Sequence, residues 1–364
     1  MKPKSKNLLL ISLMLVLMTF SINVTDLFAQ KTISTGVPFL LIGPNSRFAA
    51  MGETGTAIAD DATAMHWNPS GLAFQEENTE INFTHSPWLA NLNISDLFYD
   101  YLAAKRHFPS LRGTLGVSLT YLNIGTIIQT DEFGNRIGDY KAYEFAIAFG
   151  YSTKVSKDLG VGVVTRFIYS NLSSVKVGNE QGTGTAFTTS FDISALYRPS
   201  SGLKIFKDKI SLGINLSNLG PKIQYVDAAQ ADPIPTQLRI GVAYKLFKNE
   251  GNDLTLTADF AKLLVNKPDP FYKALFTSWK GGIKEIAASI QSSVGAEYWY
   301  GNPKLIALRA GYFYEDPQYG NRKFITLGAG IRYSLYGFDF SYINTIDETH
   351  PLANTLRFGF IINF

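Results

Sequence analysis

The sequence predicts an all-β protein: a transmembrane antiparallel β-barrel of about fourteen strands, preceded by an N-terminal plug segment. Three observations carry this prediction. Apolar and polar residues alternate in segments of about ten residues, longer and shorter links alternate between these segments, and the composition is aromatic rather than charged. Charged residues make up 17% of the 364 residues and aromatic residues 13%, whereas soluble domains average about 25% charged residues. Aromatic enrichment is typical of the girdles of membrane barrels.

The first residues predict export. Three lysines precede an apolar stretch at 8–20, and Ala29 offers a small residue for cleavage. Because this stretch is shorter than the roughly 20 residues that span a bilayer as a helix, we expect a cleaved signal peptide over residues 1–29 rather than an anchor. Its removal would lower the formal net charge from +3 to +1. A nearly neutral chain gives no reason to expect nucleic acid as a partner.

Fourteen segments have the period-two alternation of strands. In the last of them, Leu356, Phe358, Phe360 and Ile362 share one face with the terminal Phe364, which is the pattern of a closing barrel strand. An even strand number returns both ends of the barrel to the same side of the membrane. We place the strands at 80–85, 96–107, 113–122, 142–152, 159–170, 186–198, 210–218, 236–246, 253–262, 290–300, 304–314, 323–333, 336–343 and 354–364.

The links between these segments alternate in length, as in outer-membrane barrels with short periplasmic turns and longer outer loops. The link at 199–209 is long for a turn and fits less well. A soluble β-sandwich or water-soluble barrel is the alternative, but neither has a reason for such alternation. The long links lie at 123–141, 171–185, 219–235 and 263–289, and the short ones at 108–112, 153–158, 247–252, 301–303 and 334–335.

The link at 263–289 is the longest and is unusually apolar, with Phe271, Tyr272, Phe276 and Trp279. Function is usually presented on loops of rigid scaffolds, so we expect these four residues to contact a partner. Two other interpretations stay open, namely contact with the bilayer interface and a lid folded over the barrel.

Charges of both signs fall on the strand faces that would line the lumen. Because an isolated buried ion is costly, we expect them to form pairs that fill the barrel or fix a plug. A solute pathway lined by these groups is the alternative. The acidic residues are Glu144, Asp192, Asp259, Glu297 and Asp339, and the basic residues are Arg166, Arg239, Arg309, Arg332 and Arg357.

Catalysis and metal binding find little support. The chain has no cysteine, which excludes disulfides, thiolate metal sites and lipid modification of an N-terminal cysteine. Its four histidines lack metal-ligand spacing, and no nucleophile motif is present. Asp347, Glu348 and His350 cluster in a predicted outer link, where a solvated loop is favoured over an acid and base that activate water. We therefore expect no enzyme, no metal and no cofactor.

The segment 38–74 breaks the strand rhythm before the barrel begins. Its turn and cap formers are Asp60, Asp61, Asn68, Pro69 and Gly71. A barrel of about fourteen strands is too wide for its own side chains to fill, so we expect this segment to fold inside the lumen. The predicted organisation is a signal peptide at 1–29, a hatch at 30–79 and a barrel at 80–364.

These residues carry a family resemblance. The run from Gly52 to Leu72, with its ADDATAMHWNPSGL core, resembles the hatch of FadL-type barrels, which take hydrophobic molecules across the outer membrane. The hatch and the last third also resemble the PorV/PorQ family of the type IX secretion system, although NPSGLAF is closer to the general FadL pattern. The matching stretches are PFLLIGPNSR, EYWY (297–300), LRAGYFYE (308–315), GNRKFITLGAGIRY (320–333), DFSYI (339–343) and PLANTLRF (351–358).

The resemblance implies a place and a role. It implies that the protein lies in the outer membrane of a Gram-negative bacterium. There the barrel would bind the C-terminal signal domains of secreted cargo and so receive the cargo from the large translocon barrel. The implied partners are that translocon barrel, the cargo domains, the attachment-complex proteins and outer-membrane lipid. The alternative is a FadL-type transporter of hydrophobic small molecules, which predicts an apolar pocket inside the barrel.

Overall fold

The fourteen predicted strands form one closed barrel. The computed structural model describes residues 33–76, 79–92, 96–131, 133–173, 184–347 and 349–364, so the predicted signal peptide lies outside the described residues. Every strand pairs antiparallel with its neighbours in sequence, and the barrel closes where β1 pairs with β14. The strands are β1 Glu80–Pro87, β2 Phe98–Phe108, β3 Gly113–Thr130, β4 Arg136–Lys154, β5 Leu159–Asn171, β6 Thr185–Tyr197, β7 Ile210–Leu219, β8 Gln237–Asn249, β9 Asn252–Leu263, β10 Ile290–Tyr300, β11 Ile306–Tyr314, β12 Lys323–Tyr333, β13 Tyr336–Thr345 and β14 Thr355–Asn363.

Short α-helices occur before the first strand and in the link between β9 and β10, and other links carry the 3₁₀ helices Ala90–Leu92, Pro109–Leu111 and Ala228–Gln230. The α-helices are α1 Ser46–Ala49, α2 Ala64–Trp67, α3 Phe271–Thr277 and α4 Ile283–Ala288, and 3₁₀ turns occupy Pro38–Leu41 and Pro69–Phe74 near the N-terminus. Among the described residues, none of the helices is both long enough and apolar enough to cross a membrane.

The polar and apolar faces of the strands are exchanged relative to a soluble barrel. In β5 the buried positions alternate with exposed or half-buried ones, and the outward positions carry apolar residues such as Val163 and Phe167. The inward positions carry polar residues such as Arg166 and Ser170, which are buried. This distribution is expected when lipid surrounds the barrel and a polar interior is shielded.

We call the end where β1 begins and β14 ends the inner end, and the opposite end the outer end. Near the outer end Tyr121, Tyr143 and Tyr169 stand side by side on neighbouring strands, with ring centroids 6.1 Å apart in each pair. Aromatic residues of this kind form the girdle at a membrane interface.

The prediction of a long link at 123–141 is wrong. β3 continues to Thr130 and β4 begins at Arg136, so the two strands form a hairpin that extends beyond the girdle. A bulge at Gly125, whose φ is 98°, interrupts the pairing and shifts the alternation that the sequence pattern relied on. Asp131 closes the tip, because its carboxylate accepts hydrogen bonds from the backbone N–H groups of Phe133 and Asn135.

The segment 38–74 lies inside the ring of strands, against glycines of the inner wall. A Cβ atom at Gly116 would lie 2.3 Å from Met65 Sδ, and one at Gly213 would lie 2.1 Å from the carbonyl oxygen of Thr56. On the other side of the ring, a Cβ at Gly295 would lie 2.5 Å from the carbonyl oxygen of Met51. The wall therefore has no side chain where the segment approaches most closely, and we call the segment the hatch.

Candidate functional site

Arg47 is the centre of the contacts between the hatch and the barrel wall. It lies on α1, which begins after Asn45, and the Asn45 side chain accepts a hydrogen bond from the backbone N–H of Phe48. Its guanidinium donates to both carboxylate oxygens of Glu297 at 2.8 Å. It also donates to Asp61 at 3.0 Å and forms an ion pair with Asp60. Sequence reasoning gave Arg47 no role, although a lone arginine among small apolar residues was a usable signal.

The ion pairs continue from Arg47 across the wall. Glu297 on β10 accepts from Arg309 on β11 at 2.8 Å, and Arg309 donates to Asp339 on β13 at 2.7 Å. Asp339 also accepts from Arg332 on β12 at 2.6 Å. Glu297, Arg309 and Asp339 are buried, so each offsets the desolvation of its neighbours. We call this series of ion pairs, which runs from Asp60 through Arg47, Glu297, Arg309 and Asp339 to Arg332, the hatch network.

Three other strands hold the hatch by separate contacts. Arg357 on β14 donates to the Gly43 carbonyl oxygen at 2.6 Å and lies 3.5 Å from the Glu53 carboxylate. Arg239 on β8 donates to the Glu53 carbonyl oxygen at 3.2 Å. Asp259 on β9 accepts from the backbone N–H groups of Gly55 and Thr56, both at 3.0 Å. Charged side chains therefore fix the hatch on several sides.

The predicted hatch residues join turns of the hatch to each other and to the wall. Asp61 accepts from the backbone N–H of Thr63 at 2.9 Å, at the start of α2. Asn68 donates to the carbonyl oxygens of Thr56 at 2.7 Å and of Ala195 on β6 at 3.2 Å.

Pro69 and Gly71 lie in the 3₁₀ turn that follows. The Pro69 carbonyl oxygen accepts from Ser152 Oγ of β4 at 2.6 Å. Gly71 approaches the hatch backbone so closely that a Cβ there would lie 2.0 Å from the Ala59 carbonyl oxygen. Both positions therefore serve close packing of the hatch.

Not all of the other charged residues in the lumen form ion pairs. Arg166 and Asp192 form a buried pair at 2.8 Å. Within the described parts of the chain, Glu144 forms no ion pair; its carboxylate accepts from Ser170 Oγ at 2.7 Å, and Ser170 accepts from the Tyr225 hydroxyl at 2.9 Å. Asp259 is bound by hatch backbone rather than by an arginine hydrogen bond.

The Arg166–Asp192 pair fixes a bend at the end of β7. Asn218 has a φ of 57°, its backbone N–H donates to Asp192 at 2.8 Å, and its side-chain oxygen accepts from Arg166 at 2.6 Å. Pairing of β6 with β7 ends at Phe191 and Leu219 among the described residues. Beyond the bend, the link to β8 turns into the lumen.

This inward link covers the outer end of the lumen. Ile223 and Ile234 are fully buried in one cluster with Val37 and Phe39 from the start of the hatch. The backbone N–H of Gly36 donates to the Pro233 carbonyl oxygen at 3.0 Å. The first described residues of the chain therefore lie at the outer end, beneath the link at 220–236.

Two cavities of about 280 Å³ lie at opposite ends of the hatch. The outer one is lined by apolar residues such as Ile33, Leu41 and Trp88, together with Glu315 and Arg322. The inner one is polar, with lining residues that include Arg47, Asp60, Arg198, Lys245 and Lys304. The hatch lies between them with Met51 and Trp67 fully buried.

The predicted partner residues lie on and just after α3, at the outer end. Tyr272 and Phe276 are 63% and 78% exposed, and Trp279 is also exposed. Phe271 is half-buried and packs edge-on against Tyr272, with ring centroids 5.7 Å apart. No group of histidine, aspartate and glutamate residues suited to a metal ion occurs in the described portion of the chain.

Comparison with known families assigns the chain. The sequence model of PorV, described as type IX secretion system protein PorV, matches residues 26–270, which is more than half of the chain. The chain belongs to the PorV family. The resemblance is thereby confirmed, but the matched region includes the middle of the chain, whereas the stretches at 297–358 that suggested it lie outside the match.

Solved structures show the same fold at low sequence identity. The toluene transporter TodX of Pseudomonas putida is 12% identical with a TM-score of 0.51, covering 92% of this chain and 99% of that one. The toluene transporter TbuX of Ralstonia pickettii is 12% identical with a TM-score of 0.50, covering 89% and 98%. A FadL homologue of Pseudomonas aeruginosa, 11% identical over 92% and 97% of the two chains, has a TM-score of 0.47, and the fold assignment does not rest on it. Comparison with curated proteins found no match.

The predicted fold class is confirmed, and the PorV-family chain is an outer-membrane barrel. The absence of enzymatic activity stays a prediction.

Proposed function

We propose that this PorV-family barrel works in type IX secretion as a closed docking platform. It binds the C-terminal signal domains of cargo at the translocon barrel and delivers them to the surface attachment complex of a Gram-negative outer membrane. Family membership supports the secretion role. The observation that carries the closed state is the hatch network, because Arg47 and Glu297 join hatch and wall through two hydrogen bonds at 2.8 Å.

A fixed hatch places the working surface outside the lumen. Among the described residues, β3 and β4 continue furthest beyond the girdle, and Phe133 at the tip of their hairpin is 81% exposed. Ile128 and Ile137, on the two strands leading to the tip, are exposed as well. Exposed apolar side chains on a protruding element favour contact with a protein partner.

The test is recovery of partners from native membranes. We expect Phe133→Ser combined with Ile128→Ser to reduce the recovery of a large translocon barrel and of proteins that share a C-terminal signal domain. The matched control is Leu203→Ser with Phe206→Ser, which changes exposed apolar residues of the inner-end link at 199–209. Equal recovery from both variants would contradict the role of the hairpin, and a wild-type barrel recovered without protein partners would contradict the secretion role.

A second function, transport of hydrophobic small molecules, is favoured by the outer cavity. Its apolar lining of Ile33, Leu41 and Trp88 at about 280 Å³ could hold a small apolar ligand. Native mass spectrometry of the purified barrel tests this function. If the wild type retains an apolar molecule and Leu41→Arg does not, transport is supported. If the wild-type barrel carries no such molecule, the transport function is contradicted and secretion is the one proposed function that remains.

A further inference from the structure

The link between β9 and β10 folds over the outside of the barrel wall. Phe260 on β9 is 46% exposed on the outer face, and alternation places Lys262 on that same face. Yet Lys262 is only 5% exposed. Its Nζ donates to Ser289 Oγ at 2.5 Å and lies 5.3 Å from the centroid of the Trp279 ring. The helix-bearing link therefore covers the outward surface of β9 at its outer end.

This position disfavours the interpretation of the link as a lid. The outer end of the lumen is already covered by the link at 220–236, whose Ile223 and Ile234 pack against the hatch. The start of the link at 264–289 contacts this cover, where Lys267 Nζ lies 2.9 Å from Asp232. Its later part, with Trp279 and Ser289, instead packs on Lys262 at the outward face of β9. An element in that position has lipid as its immediate surroundings.

The side chains of the link match such surroundings. Tyr272 and Phe276 are four residues apart on α3, so they share one face, and both are strongly exposed. Ile283 at the start of α4 is 89% exposed. Between residues 271 and 288 the chain carries three lysines, Lys273, Lys280 and Lys284, and one acidic residue, Glu285. Apolar side chains interspersed with lysines are typical of interfacial helices, which bind anionic lipid.

We propose that α3 and α4 lie in the outer-leaflet interface and bind the phosphorylated headgroups of the surrounding lipid. Tyr272, Phe276 and Ile283 enter the region between headgroups and acyl chains. Lys280 and Lys284 contact the phosphates, and Lys273, whose Nζ lies 3.2 Å from Asp269, adds its charge to the same surface. The proposal concerns how the barrel sits in its membrane, and it stands independently of the role in secretion.

Site-directed spin labelling tests the position of the helices. Because the chain has no cysteine, Phe276→Cys and Ile283→Cys can each carry a single label in the full-length barrel, reconstituted in vesicles that contain lipid A. We expect both labels to collide with oxygen more than with a water-soluble nickel complex. Phe133→Cys, at the exposed tip of the β3–β4 hairpin, is the matched control and should show the opposite preference.

Either of two other results would overturn the proposal. Nickel accessibility at 276 and 283 equal to that at 133 would place the helices in water. Protection from both reagents would mean that protein, such as a second copy of the chain, covers them. Heat-modified migration on gels identifies the folded fraction of each variant, so that only folded barrels are compared.

The lysines are tested by retention of lipid A. We expect the triple substitution of Lys273, Lys280 and Lys284 by Gln to reduce the lipid A retained in native mass spectrometry by roughly tenfold or more. Substitution of Lys204, Lys207 and Lys209 by Gln, in the inner-end link, removes the same charge at the opposite end and should leave retention unchanged. Equal retention by both triple variants would contradict headgroup binding.

Discussion

At the scale of single residues, the hatch depends on charges that have left water. Arg47 faces Asp60, Asp61 and Glu297. Loss of its guanidinium would remove the ion-pair partner of the buried Asp61 and leave Glu297 with Arg309 alone. Breaking a buried pair from one side costs about 3–5 kcal/mol, because the remaining charge stays desolvated. Sequence analysis identified Glu297 but not Arg47. The arginine stands out locally among small apolar residues, but its partner lies 250 positions away in the chain, so no sequence pattern joins the two.

We therefore expect Arg47→Ala to lower the free energy of unfolding by about 3–5 kcal/mol. Denaturant unfolding of the folded barrel in lipid vesicles measures this loss. Arg136→Ala is the control, since Arg136 pairs with Asp139 on the exposed β3–β4 hairpin and solvent-exposed pairs contribute little to stability. Equal effects of the two substitutions would show that the hatch network contributes little to stability.

His350 provides a pH-dependent contact in the link between β13 and β14. Its Nδ1 accepts a hydrogen bond from the backbone N–H of Leu352 at 3.1 Å, which requires the neutral imidazole. Partial burial and, next, the positive charge of Arg322 lower the pKa of His350 below its usual value of 6.5. The sequence placed His350 in a solvated cluster with Asp347 and Glu348; Glu348 lies outside the described residues, and Asp347 accepts from the Thr349 backbone at 3.0 Å.

Because the folded state lowers the pKa of His350, its contribution to local stability is present above the unfolded value of about 6.5 and is lost as the pH falls through the folded value. We expect amide exchange at Leu352 and Ala353, after correction for the intrinsic effect of pH, to increase as the pH is lowered from 7.5 to below 6. His350→Gln, whose amide oxygen also accepts and does not titrate, should abolish this dependence. Exchange independent of pH in the wild type would contradict the assignment.

At the scale of elements, sequence and structure agree where lipid imposes a strict alternation. The strands from 142 to 170 were predicted because outward positions such as Phe149 and Phe167 had to be apolar along their length. The hairpin beyond Tyr121 was missed because both faces of residues 126–130 are exposed or half-buried, so nothing imposes a period on them. The bend of β7 was also missed, because it depends on side chains of β5 and β6.

Asn218 is the residue on which that bend depends. Asn tolerates a positive φ better than alanine does, and its side chain also donates to the Pro235 carbonyl oxygen at 3.1 Å. We expect Asn218→Ala to destabilise the link at 220–236 by about 2–4 kcal/mol, from backbone strain together with lost hydrogen bonds. Asn218→Gly loses the same side chain but adopts the φ freely, so it should cost less.

Amide exchange of Ile223 and Asp232, which pair in the link, measures this difference. An equal increase for Asn218→Ala and Asn218→Gly would show that side-chain hydrogen bonds, and not the backbone conformation, hold the bend.

At the scale of the whole molecule, the hatch packs closely against the wall because the wall has glycines at the contact positions. The sequence predicted that a barrel of this width needs a plug, from strand number alone. It could not predict the fit, since the glycines of the wall occur at ordinary strand positions and only the folded barrel places Gly213 beside Thr56. This fit supports the proposal that the wide barrel stays closed while its outer end binds protein partners and lipid.

Gly213→Val tests the closed state directly. The first added carbon would lie 2.1 Å from the Thr56 carbonyl oxygen, so the hatch backbone must move, and we expect ion conductance in planar bilayers where the wild type has none. Gly138→Val, on the hairpin outside the barrel, is the control. Among the described residues, a Cβ there would have one atom within 4 Å, Gln129 Oε1 at 3.9 Å. If Gly213→Val folds and stays closed, the hatch adapts to its wall, and the closure of this barrel does not depend on their fit.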